Sequence, residues 1–147
     1  MSAEVAPPYN LRATVVATSA FGLTHDRFFN QLGGARLDYR FTERFAFGAV
    51  LSYVNLKGKD ERVHNVLPEV TFEYRLPLSG EKFGAPIRYS LGYLAKNGPT
   101  LRLGLGVDFG LSEKASLELV PLEAMVWVTR ERPEVSADAT IALRFGF

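Results

Sequence analysis

Apolar and polar residues alternate one by one through nearly every extended segment of this chain, and the alternation runs to the last residue, an aromatic. In the segment 135–147, Val135, Ala137, Ala139, Ile141, Leu143, Phe145 and Phe147 share one parity, while Ser136, Asp138, Thr140, Ala142, Arg144 and Gly146 share the other. Side chains alternate faces along a strand, so such a segment is a two-faced strand. A water-soluble sheet buries its apolar face and shows the charged one. A closed barrel in lipid does the reverse, apolar outward and polar toward the lumen.

Turn signals divide the chain into eight such segments, 9–22, 32–41, 45–56, 63–76, 87–96, 100–111, 115–129 and 135–147. Each meets or slightly exceeds the ~9–11 residues that cross a bilayer at a tilt. Apolar residues recur at every second position rather than at the third and fourth, which predicts strands and no amphipathic helix. Pro7, Pro8, Pro77, Pro86, Pro99 and Pro133 are placed in the terminus or in connections, where a missing N–H does no harm; Pro68 and Pro121 fall inside strands. At Val120-Pro121 the alternation changes phase, from Leu117 and Leu119 to Leu122, Ala124, Val126 and Val128. One extra residue there, a β-bulge, restores a single outward set.

At 147 residues the chain is read as one barrel domain, with 1–8 as an N-terminal extension. A net charge of +1 gives no electrostatic case for nucleic acid. There is no cysteine, hence no disulfide frame and no thiolate metal site. No stretch approaches the ~18 consecutive apolar residues of a membrane helix. Met1-Ser2-Ala3-Glu4 lacks both the charged and the apolar regions of an export signal, so the expectation is a mature, exported form without its leader.

Continuing the alternation assigns Arg12, Arg36, Arg40, Arg75, Arg88, Arg102 and Arg144 to the interior, with Asp38, Glu69, Glu73, Asp108, Glu118, Glu123 and Asp138. All the basic members are arginine, which pairs bidentately with carboxylates and suits buried ion pairs better than lysine. The five lysines, 57, 59, 82, 96 and 114, fall in loops, turns or strand ends. The opposite faces carry Leu11, Leu37, Tyr39, Phe47, Leu51, Tyr53, Phe72, Tyr89, Leu103 and Leu105 among others, with aromatics toward the strand ends. An eight-stranded barrel has room inside for side chains and little else, so these rings would overfill it. Inward Gly48, Gly92, Gly104, Gly106, Gly110 and Gly146 leave space for long arginines.

Two stretches seventy residues apart read alike: Leu37-Asp-Tyr-Arg-Phe-Thr-Glu-Arg and Val107-Asp-Phe-Gly-Leu-Ser-Glu-Lys. Both are read as tight hairpins on one rim of the barrel. With the terminal Leu143-Arg-Phe-Gly-Phe147, they make the chain resemble small bacterial outer-membrane β-barrels of the OmpA/OmpX type over essentially everything after Pro8. The resemblance implies an all-β, eight-stranded antiparallel up-and-down transmembrane barrel in the outer membrane. It implies an assembly signal in Phe145 and Phe147, read by the barrel-assembly machinery, and periplasmic turns at 42–44, 77–84 and 112–114. The opposite loops, 25–31, 58–62, 97–99 and 130–134, are shorter than in adhesive or receptor members.

Catalytic motifs are scarce. Gly104-Leu-Gly106 lacks the rest of a dinucleotide fingerprint and sits within a strand. His25-Asp26 with Ser52 or Ser136, or else His64, sketches a lipid-modifying site at the outer rim, without spacing that compels it. Glu69 and Glu73, one face of one strand with Arg75 following, read as members of the lumen network rather than as an acid/base pair. The loop cations Arg27, Lys57, Lys59, Arg62, Lys96, Arg130 and Arg132 suit either solvent or lipopolysaccharide phosphates. The expectation is therefore a monomeric structural barrel, no enzyme and without cofactor or metal. Its lumen is closed by Arg–carboxylate pairs and its partners are outer-membrane lipid, lipopolysaccharide and the assembly machinery. A narrow channel for water or small ions is the first alternative, the lipid-modifying enzyme the second, and a soluble ligand-binding barrel of lipocalin type the last.

Overall fold

The computed structural model describes residues 10–24, 28–57, 61–78, 82–95, 97–128 and 132–147. Eight strands follow one another in sequence: β1 (Leu11–Gly22), β2 (Phe29–Arg40), β3 (Phe45–Lys57), β4 (Arg62–Pro77), β5 (Phe83–Leu94), β6 (Gly98–Gly110), β7 (Ala115–Val128) and β8 (Pro133–Gly146). Each pairs antiparallel with its neighbour, and β8 closes on β1 from Arg12↔Gly146 to Gly22↔Ser136. Closure removes both sheet edges, so every strand has two partners. The 1–8 extension lies outside the described residues.

The start of β1, the end of β8 and the 41–44 and 111–114 turns lie at one end of the barrel, here the terminal end; the opposite end, where β1 ends and β2 begins, is here the loop end. The two look-alike hairpins close in the same way. Thr42 Oγ accepts from the backbone N–H of Arg44 at 3.3 Å and of Phe45 at 3.0 Å. Ser112 Oγ accepts from Lys114 at 3.4 Å and Ala115 at 3.1 Å. A short hydroxyl side chain that satisfies two turn donors is what that position requires.

The expected bulge is present. Between Val120 and Glu123 β7 advances three residues while β8 advances two, from Thr140 to Asp138. Against β6 the same offset falls between Leu105 and Val107. Beyond it, Glu123, Met125 and Trp127 are buried and Leu122 and Ala124 exposed. Other boundaries differ from expectation. β2 begins at Phe29 and β5 at Phe83, earlier than position 32 and position 87, because ring pairs extend the ladders: Phe21–Phe29 at 5.0 Å and Phe83–Phe109 at 5.3 Å between centroids. Pro86 consequently lies within β5, and Pro77, Pro99 and Pro133 also fall inside strand bounds, at or beside strand ends, rather than in connections. Around Pro86, which has no N–H to give, the β5–β6 pairing passes from Gly84↔Asp108 directly to Ile87↔Leu105.

Gly48 and Gly84 are needed for close approach. A Cβ on Gly48 would meet the Asp38 carboxylate and the Leu37 carbonyl, and one on Gly84 would meet the Arg75 guanidinium. Gly104 is also close, against the Glu123 carboxylate, so these glycines are sites where charged groups rest on the wall. Gly110 is exposed at the strand end rather than in the lumen. Gly48→Val is expected to lower stability by ~1–3 kcal/mol, the usual cost of overpacking. Chemical-denaturant titration of the refolded barrel checks this, and an unchanged midpoint would show that Asp38 has room to move.

Candidate functional site in the barrel lumen

The lumen is layered along the barrel axis. At the terminal end, inward positions of seven strands bring arginines and carboxylates into one cluster. Glu73 on β4 is its first hub. It accepts from Arg12 at 3.2 Å, Arg88 at 2.6 Å and Arg144 at 3.1 Å, with Arg36 4.0 Å away. Glu118 on β7 is the second. It accepts from Arg36 at 3.3 Å, lies 2.6 Å from Arg88, and takes a further short hydrogen bond from Arg144. Asp38 accepts from Arg36 Nε at 2.9 Å and sits 3.7 Å from Arg12. Arg75 forms a fork on Asp108, with Nε and Nη2 each 2.8 Å from a carboxylate oxygen, and Arg144 approaches the same group at 3.9 Å. Apart from Arg75, a quarter exposed, all of these side chains are buried.

A second, sparser layer lies toward the loop end. Arg102 on β6 has Glu69 at 3.6 Å and Glu123 at 3.4 Å, and its Nη2 donates to the Met125 sulfur at 3.4 Å. Thr140 donates to Glu123 at 3.3 Å and shares a 2.7 Å hydrogen bond with Thr18. Asp138 is buried at this level, opposite Glu123 in the β7–β8 register, and makes no ion pair within 4.0 Å among the described residues. The interior charges are therefore not one even ring. The terminal layer is arginine-rich, and the middle layer holds three carboxylates beside one arginine. Arg40 stands half-buried at the end of β2, where its backbone N–H donates to Asn10 at 2.7 Å.

Above these layers the interior becomes apolar. Ala20, Leu32, Val54, Leu56, Leu67, Leu94, Met125 and Trp127 pack together, with Phe28 meeting Trp127 edge-on at 6.3 Å. This cap was not anticipated, although the signal was available: Val54 and Leu56 continue the parity of Ser52, as Met125 and Trp127 continue that of Glu123. The Trp127 indole N–H donates to Ser136 Oγ at 2.8 Å, which satisfies the one polar atom of the indole.

That arrangement bears on the enzyme alternative. Ser52 and Ser136 are both buried inside. His64 lies on the outer wall, hydrogen-bonded to Tyr53, so neither serine shares a face with it. His25 and Asp26 lie outside the described residues. Among the described residues, no group of three or more His, Asp or Glu side chains is placed to hold a metal ion. Phe145 and Phe147 sit on the outer face of β8 and just beyond it, and the Phe147 N–H donates to Leu11 at 2.8 Å.

No family model and no curated protein matches this chain. Solved structures do resemble it. Neisserial surface protein A superposes with a TM-score of 0.67 at 12% identity, over 93% of this chain and 97% of that one. The outer-membrane enzyme PagL gives 0.62 at 13% identity, over 91% and 99%. The N-terminal barrel domain of Pseudomonas aeruginosa OprF gives 0.58 at 15% identity, over 91% and 97%. The chain has the fold of the small eight-stranded outer-membrane barrels.

The hub geometry ranks the lumen residues. Removing one partner of a buried charge pair leaves the others uncompensated and costs ~3–5 kcal/mol. Glu73→Gln and Arg144→Ala are expected to reach that range. Arg102→Ala, whose partners stand farther off, is expected to fall below both. Urea titrations of the refolded variants check the order; an Arg102→Ala loss exceeding that of Arg144→Ala would overturn it.

Proposed function

We propose that this barrel of outer-membrane type is an integral protein of the bacterial outer membrane with a structural role, its lumen closed to ions. The observation that carries the reading is the inversion of interior and surface. Glu73, Glu118, Arg88 and Arg144 are buried, while Val15, Leu51, Leu103 and Leu105 are 64%, 59%, 55% and 55% exposed. A predominantly apolar exterior of this kind marks a membrane-facing surface. Ring pairs frame it toward the terminal end, Phe45–Tyr74 at 4.8 Å and Phe47–Phe72 at 5.1 Å, as expected of residues that anchor at a bilayer interface.

Closure rests on the layers in series. An ion entering from the loop end meets the Leu67–Met125–Trp127 cap, whose side chains carry no charge to replace its hydration. An ion entering from the terminal end meets arginines and carboxylates already engaged with one another. Partners on this reading are outer-membrane lipid, lipopolysaccharide and the assembly machinery, the last through Phe145 and Phe147.

The test is reconstitution. The chain is expected to insert into lipid vesicles, to migrate differently in gels with and without heating, and to show no steady conductance in planar bilayers. Leu103→Arg, mid-strand on the outer face, is expected to cost ~2–4 kcal/mol in vesicles, and Tyr39→Arg near the strand end ~0–1 kcal/mol. Equal penalties would contradict a lipid-facing wall, and reproducible conductance would replace closure with the narrow-channel reading. Deleting Phe147 is expected to slow assembly in cells more than it destabilises the refolded barrel. Normal assembly would remove that residue's role.

A further inference from the structure

The middle layer of the lumen does not compensate its own charge. Glu69, Glu123 and Asp138 are buried there beside a single guanidinium, that of Arg102. Arg102 is shared between two of them, 3.6 Å from Glu69 and 3.4 Å from Glu123. Asp138 is the remainder. It is 2% exposed, and neither of its carboxylate oxygens has a hydrogen-bond partner among the described residues. The charges that act on it are Arg102, already shared, and the like charges of Glu123 and Glu69. Arg36 and Arg88 act on Glu69 from the terminal layer, but both are engaged with Glu118.

The other polar groups around this layer are neutral. Thr18 bonds to Thr140, and Thr140 donates to Glu123. Ser136, two residues from Asp138 on the same face, accepts the Trp127 indole N–H. Thr100 is buried, its hydroxyl has no partner among the described residues, and it faces Glu69 across Gly92, where a Cβ would meet both side chains.

Glu123 and Asp138 stand directly opposite each other on β7 and β8. Opposite residues on one face of an antiparallel pair bring their Cβ atoms within ~4.5–5.5 Å, and like charges there repel. Two carboxylates sharing one buried place do not both ionise, and an ionised group with no partner costs more than taking up a proton. The count over the whole lumen agrees. Seven inward arginines less Arg40, at the end of β2, leave six to face seven carboxylates, and one proton makes the two equal.

We propose that the middle layer is a proton-binding site: the folded barrel holds one proton more than the unfolded chain, carried by the Glu123–Asp138 pair. The proton comes from water as the barrel closes, and the one bond formed is a carboxylic O–H. The site rests on the closed lumen of the reading above.

The full chain is refolded in lipid vesicles, and its folding equilibrium constant is measured by denaturant titration from about pH 6 to about pH 8, above the range in which free carboxylates titrate. A chain that holds an extra proton when folded loses stability as pH rises, by up to about tenfold in that constant per pH unit. Asp138→Asn leaves Glu123 with Arg102 and Thr140 and is expected to flatten this dependence. Asp138→Ala is expected to do the same and serves if the first variant fails to refold. Glu113→Gln, in the exposed 111–114 turn, is expected to keep the parent's slope. The difference between parent and variant removes every other titrating group. Infrared spectra of the folded parent at neutral pH are expected to show a protonated carboxylic-acid band that either Asp138 variant removes. The same slope in parent and Asp138 variants, or no such band in the parent, would overturn the site. So would stability that rises with sodium chloride but not with choline chloride and loses that response in Asp138→Asn, which would put a metal cation in the proton's place. Steady conductance of the parent overturns the closed lumen and the site together; a closed barrel without the extra proton overturns the site alone.

Discussion

Charge compensation inside a closed sheet is the interaction on which this structure depends. Alternation sends every second side chain inward, and closure of β8 on β1 buries most of those side chains away from water. A charge at such a position is stable only when other charges reach it across the lumen. Glu73 and Glu118 satisfy this by each drawing on three or four arginines from different strands. Arginine suits the task because its fork lets one side chain meet two carboxylates at once, as Arg88 and Arg144 both do.

The remainder of the architecture follows from housing that cluster. Gly48 and Gly84 keep the wall flat where Asp38 and Arg75 lie against it. The β7 bulge turns Glu123, Met125 and Trp127 inward after Pro121, which supplies both a carboxylate for Arg102 and the rings and sulfur of the cap. Putting charge inside consigns the apolar residues to the outer wall, and that wall is stable only against lipid. On the proposed reading, sealing and membrane residence are two consequences of one parity.

Much of this was legible in the sequence. Parity along segments such as 135–147 separates the two faces without any knowledge of partners, and the phase change at Val120-Pro121 places the bulge. The pairing was not legible. Arg12 meets Glu73, three strands away, because of the stagger between strands, and no local pattern carries that offset. Evenness was also misleading: seven arginines against seven carboxylates suggested one balanced network, whereas the structure separates them into two layers and leaves Asp138 at the sparse one. Strand starts at Phe29 and Phe83 were not legible because their ring partners, Phe21 and Phe109, lie on neighbouring strands and meet them only in register. Ser19, Gln31 and Asn55 belong to three strands and align as a polar row on the outer wall only in register, so no local pattern carries it.

A double-mutant cycle on Glu73 and Arg144 tests the central claim most directly. Folding free energies of Glu73→Ala, Arg144→Ala and the pair are measured by denaturant titration in lipid vesicles. If the barrel rests on mutually compensated buried charge, the double variant loses less than the sum of the singles, with a coupling toward the upper part of the ~0.5–3 kcal/mol seen for contacting residues. Additivity within ~0.5 kcal/mol would mean that each charge is solvated independently, and the closed, compensated lumen would be contradicted.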